Sequence, residues 1–66
     1  MNKMILRNEE DMVQSEISFL ESGKHRVILR DLESDNVLPV VRIYDAFEDA
    51  LKYARHIIGK EELITH

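Results

Sequence analysis

The side chains in this sequence that could carry chemistry are few and scattered. Histidines stand at 25, 56 and 66, and no H-x-x-x-H pair places two of them on one helical face as metal ligands. There is no cysteine, which removes disulfides and thiolate metal sites together. Ser15, Ser18, Ser22 and Ser34 lie in no G-x-S-x-G context that would present one as a nucleophile. The runs Glu9-Glu10-Asp11 and Lys60-Glu61-Glu62 lack the alternation of a calcium loop and read as solvated charge. No catalytic, metal or cofactor motif is present, so the expectation is a protein that is not an enzyme. What remains is recognition chemistry: Arg26, Arg30 and Arg42, in a chain of formal net charge −4.

Those arginines need a scaffold, and the most legible part of it is 45–59. Asp45 stands where an N-cap belongs, with Glu48 three residues on, as in a capping box. Phe47, Ala50, Leu51, Ala54, Ile57 and Ile58 follow at helical spacing and form one apolar arc. Acids open this segment, Arg55 and His56 close it, and Gly59 suits the C′ position. An amphipathic helix over 45–59 is expected.

Upstream, 15–44 reads as a three-stranded antiparallel meander. Ser15 to Leu20 alternates, with Ile17 and Phe19 on one side. Glu21-Ser22-Gly23 offers a three-residue hairpin loop with glycine in the left-handed place, which sets Ile17 opposite Val27 and Phe19 opposite His25. His25 to Leu32 is the central strand. A second such loop at Ser34-Asp35-Asn36, with Asn36 left-handed, pairs Val27 with Ile43 and Leu29 with Val41. Pro39 cannot donate to a ladder, so the strand over 37–44 should be an edge, or bulged there. Segment 1–14 is expected to be an arm or a short helix, since Asn8 before Glu9, Glu10 and Asp11 looks like a helix start, while Met4-Ile5-Leu6 could add a short strand or dock on apolar surface. Segment 60–66 is a tail. The fold class is thus α+β, a β-β-β-α unit in one small domain.

In that register one sheet face meets the helix through Ile17, Phe19, Val27, Leu29, Val41 and Ile43. The opposite face carries Leu20, Arg26, Ile28, Arg30, Leu32, Leu38, Val40, Arg42 and Tyr44. One account of it is a solvated surface whose arginine stems lie over the aliphatics. The other is an interface, for which arginine, tyrosine and aliphatics are a suitable composition. Sixty-six residues bury only about 60% of their unfolded surface, so a partner would be a welcome reinforcement.

The order helix, three strands, helix resembles a double-stranded-RNA-binding domain in outline. That family grips phosphates with lysines at the start of its last helix, where this chain has Asp45, Glu48 and Asp49. The phrase RIYDAFEDALKYA resembles the end of HicB-like antitoxin domains through its strand-then-helix pattern alone, and no functional residue carries over.

The N-terminus has too few consecutive apolar residues for a signal-peptide core, and no run is long enough to span a membrane. A cytoplasmic protein is expected, with no cofactor and no membrane partner. The leading expectation is an accessory or interaction protein that self-associates as a homodimer or binds a macromolecule through Arg26, Ile28, Arg30, Leu38, Val40, Arg42 and Tyr44. The alternatives are a nucleic-acid or nucleoprotein module using Arg26, Arg30 and Arg42, or a small acidic inhibitor of the phage or mobile-element kind.

Overall fold

A computed structural model describes residues 3–59. Four strands precede the helix: β1 (Lys3–Asn8), β2 (Val13–Phe19), β3 (His25–Asp31) and β4 (Asn36–Tyr44), then α1 (Phe47–Ile57). They form one antiparallel sheet in the order β1-β2-β3-β4. The meander therefore has four strands and not three, and the outline of a leading helix does not hold. The expected tail, 60–66, lies outside the described residues.

Segment 1–14 contains β1 and the turn after it because Asn8 starts a turn with the same chemistry that starts a helix. Its Oδ1 accepts the Asp11 N–H at 3.0 Å, as an N-cap oxygen would. Met12 then takes a left-handed conformation, φ 57°, and brings Val13 back opposite Asn8. That one residue decides hairpin against helix.

Between β2 and β3 the expected register holds: Ile17 faces Val27 and Phe19 faces His25. The loop is Glu21-Ser22-Gly23, closed by the Leu20 N–H donating to the Lys24 carbonyl at 2.9 Å. Gly23 has φ 91°, and a Cβ there would touch nothing within 4 Å, so glycine is needed for the backbone and not for space.

Between β3 and β4 the expected register fails. Val27 pairs with Arg42, Ile28 with Val41 and Asp31 with Asn36. The left-handed residue is Asp35, φ 62°, one place earlier than Asn36, so the loop spans 32–35. Asp31 organises it as Asn8 does the first turn, accepting the Ser34 hydroxyl at 2.8 Å. A change of one residue at the turn reverses every side chain of the strand that follows. A bulge then sets Leu38, Pro39 and Val40 against Leu29 alone. It adds two residues to β4, so the alternation of faces survives it, and Pro39 sits at a bulge on an edge strand where its missing N–H does least harm. Leu38, Val40, Arg42 and Tyr44 thus belong to the helix side, while Val41 and Ile43, expected in the core, point away from it.

The core is small. Ile17, Val27, Ala50 and Ala54 are wholly buried, with Leu6, Tyr44, Phe47, Leu51, Tyr53 and Ile57 packed around them. The two alanines let α1 lie close over β2 and β3. Two polar side chains of the sheet then reach its carbonyls: Ser15 Oγ donates to Ala54 and Asn8 Nδ2 to Ile58, both at 2.7 Å. These satisfy acceptors that a helix end leaves without intrahelical partners. At the other end Asp45 is not the cap. Ala46 holds that position without a side-chain bond, and Asp45 pairs with Lys24 at 2.6 Å. Phe47 stacking on Phe19, centroids 5.6 Å apart, fixes the start of α1 instead. Gly59 does take the expected left-handed C′ conformation, φ 78°.

Candidate interaction face

The side of the sheet away from α1 is covered by none of the described elements, and its side chains fall into three cross-strand rows. The middle row runs Ile5, Glu16, Ile28, Val41. To one side lie Lys3, Ser18, Arg26 and Ile43, and to the other Arg7, Gln14, Arg30 and Val37. Alternation on β1 supplies Lys3, Ile5 and Arg7, and the inverted β4 supplies Val37, Val41 and Ile43.

Glu16 organises this face. Although none of the described elements covers it, the residue is only 3% exposed, because its neighbours close over it. Oε2 accepts from Gln14 Nε2 at 2.6 Å and from Arg30 Nε at 2.7 Å. Oε1 accepts from Lys3 Nζ at 3.3 Å and Arg30 Nη2 at 3.4 Å. The Arg30 guanidinium, with help from Gln14 and Lys3, outweighs the opposing effect of burial and holds the Glu16 carboxyl at about 2. Arg30 is in turn held more firmly protonated by Glu16. The network continues in both directions: Arg7 Nε donates to Gln14 Oε1 at 3.0 Å, and Arg30 Nη1 lies 3.6 Å from the Asp35 carboxylate. A polar chain therefore ties β1, β2, β3 and the β3–β4 loop together across the open face.

Around that chain the surface is aliphatic. Ile5, Val37, Val41 and Ile43 are between 47% and 54% exposed, whereas Ile17 and Val27 on the other side are fully covered. Lys3, Arg7, Arg26 and Arg30 stand against Glu16 and, at the rim, Asp35, so the face is positive by two charges within a chain of −4. Arg26 makes no hydrogen bond or ion pair among the described residues.

Of the expected site residues, the fold brings Arg26, Ile28 and Arg30 together here. Arg42 and Tyr44 lie on the helix side, the Arg42 guanidinium 5.0 Å from the Tyr53 ring centroid and Tyr44 5.8 Å from the same ring. Leu38 and Val40 share that side. Absent from the expectation were Lys3, Ile5, Arg7, Gln14 and Glu16. The apolar run Met4-Ile5-Leu6 was the available signal for β1, but nothing local reveals that Glu16 collects donors from three strands.

His25 is half-buried between Phe19 and Phe47, centroids at 5.1 and 5.8 Å, and its Nδ1 is buried without a hydrogen-bond partner. An open cleft between α1 and the end of β4 is lined by Tyr44, Asp49, Lys52, Tyr53 and His56. Among the described residues no group of His, Asp or Glu could hold a metal ion, and no helix is long and apolar enough to cross a membrane. Comparison with protein-family models, with curated proteins and with solved structures found no match.

Proposed function

We propose that this chain is a non-enzymatic binding module that docks a protein partner on the open face of its sheet. The observation that carries the proposal is the set of half-exposed aliphatics Ile5, Val37, Val41 and Ile43 on one face of so small a domain. Large aliphatic side chains gathered on one surface gain about 25 cal/mol for each Å² a partner removes from water. The Glu16–Arg30 network holds Lys3, Arg30 and, through Gln14, Arg7 between them, so that part of the surface is ordered before any partner arrives and less entropy is lost on binding. A nucleic-acid module draws less support, because Arg42 is separated from Arg26 and Arg30 and no aromatic ring stands among them for a base to stack on.

Site-specific photo-crosslinking in the native host tests this. A photoreactive residue replacing Val41 should give a covalent protein adduct, and the same residue replacing Lys52, on the outer side of α1, should not. Equal labelling at both positions, or none at 41, would remove the proposal.

A further inference from the structure

We infer that the occupant of the open face is an acidic amphipathic helix of a protein partner, with its aliphatic stripe on Ile5, Ile28 and Val41 and its carboxylates over the flanking cations. The inference rests on the docking surface proposed above and names what docks there.

The spacing suits a helix. The row from Ile5 to Val41 crosses four strands, about 14 Å at the usual strand separation, or about ten residues of helical rise. Two residues along the strands, about 7 Å from that row on either side, stand the cations. Lys3 and Arg26 lie on one flank, Arg7 and Arg30 on the other. A helix about 10 Å across sets its apolar stripe on the row and both flanks over positive charge. Glu16 does not oppose this, since it is 3% exposed and its two oxygens already accept four hydrogen bonds.

Charge disfavours one competing occupant and side-chain composition the other. A second copy docked face to face would oppose two surfaces that are each positive by two, at the cost of like-charge contact. A nucleic acid would meet the cations without any ring to stack on, because Phe19, Tyr44, Phe47 and Tyr53 all belong to the helix side. An acidic helix satisfies the charge and the aliphatics together. The contrast between a positive face and an otherwise acidic chain also orients such a partner as it approaches.

The test is fluorescence anisotropy with a labelled synthetic helix of about eighteen residues, long enough to hold its shape. One peptide carries a leucine stripe flanked by glutamates, a second carries lysines in their place, and a single-stranded DNA oligonucleotide is the third probe. The glutamate peptide should bind at least about tenfold more tightly than the lysine peptide, and more weakly as salt rises. The double variant Arg7→Glu/Arg26→Glu, with its fold checked by circular dichroism, should reverse the preference. Equal binding of the two peptides, preference for lysine, or tighter binding of the DNA would overturn the inference. So would a dimer in sedimentation equilibrium that Val41→Lys dissociates. In any of these cases an adduct at position 41 in the crosslinking experiment would leave the docking surface standing, whereas its absence would remove both.

Discussion

Asn8 Nδ2 donates to the Ile58 carbonyl at 2.7 Å, joining the first hairpin to the last turn of the helix across fifty residues of chain. The same side chain accepts the Asp11 N–H that shapes its turn. One asparagine, 2% exposed, thus sets both the end of β1 and the seat of the helix C-terminus.

Asn8→Asp keeps the acceptor for the Asp11 N–H but removes both donations of Nδ2, to the Ile58 carbonyl and to the Asp11 carboxylate at 3.2 Å. It also brings negative charge to that carboxylate and to the negative end of α1. Stability should fall by about 2 kcal/mol at neutral pH, the usual cost of leaving a buried acceptor unpaired. Thermal unfolding measures this. A melting temperature unchanged from the parent would show that the Asn8–Ile58 bond does not hold the helix.

Glu16 gives the chain a specific acid sensitivity. Its carboxyl is held at about 2 against an ordinary 4.5, so it binds fewer protons folded than unfolded in that interval. The stabilisation is complete above pH 4.5 and is lost as pH falls from there towards 2. Glu16→Gln should cost about 1–3 kcal/mol at pH 7, by leaving Arg30 and Lys3 without their acceptor. Urea unfolding of both proteins across this range should show the gap closing on acidification, since a protonated Glu16 resembles Gln. A gap that stays constant down to pH 2 would deny the network its electrostatic role.

The orientation of β4 is open to a direct contrast. Val41→Ser should change stability by no more than about 0.5 kcal/mol, because Val41 is 54% exposed and touches no core. Val27→Ala, at a fully buried position, should cost about 2–3 kcal/mol through lost burial and a cavity. Comparable losses at both sites would restore the register in which Val41 faces the helix.

How far the sequence reveals this arrangement depends on how local each determinant is. The helix is legible because its apolar spacing carries it, even though Asp45 turns to Lys24 instead of capping. The β2–β3 hairpin is legible because Gly23 fixes the loop, and the loop fixes the register. β4 is not, since aliphatics occupy both of its faces and its register hangs on whether Asp35 or Asn36 takes the left-handed place. Both residue types tolerate that conformation, so pattern alone does not choose. β1 is hidden for a related reason, an asparagine whose side chain begins a turn as readily as a helix. Of the interaction face, Arg26, Ile28 and Arg30 lie on the legible strand, whereas Lys3, Ile5, Arg7, Val37, Val41 and Ile43 depend on the two illegible ones.

His25 supplies the last prediction. Its ring packs edge-on to Phe19 with Phe47 beyond, and its Nδ1 is buried with no partner to exchange for water. A buried nitrogen of this kind carries a desolvation cost that a carbon in its place does not. Phenylalanine has nearly the shape to keep the aromatic contacts and removes the nitrogen, so His25→Phe should stabilise the fold by on the order of 1 kcal/mol. His25→Ala loses the ring contacts as well and should destabilise it. Chemical denaturation of the two variants beside the parent decides the matter. If His25→Phe is the less stable of parent and variant, the nitrogen contributes a hydrogen bond in solution, and the aromatic cluster is not what holds this end of the sheet to the helix.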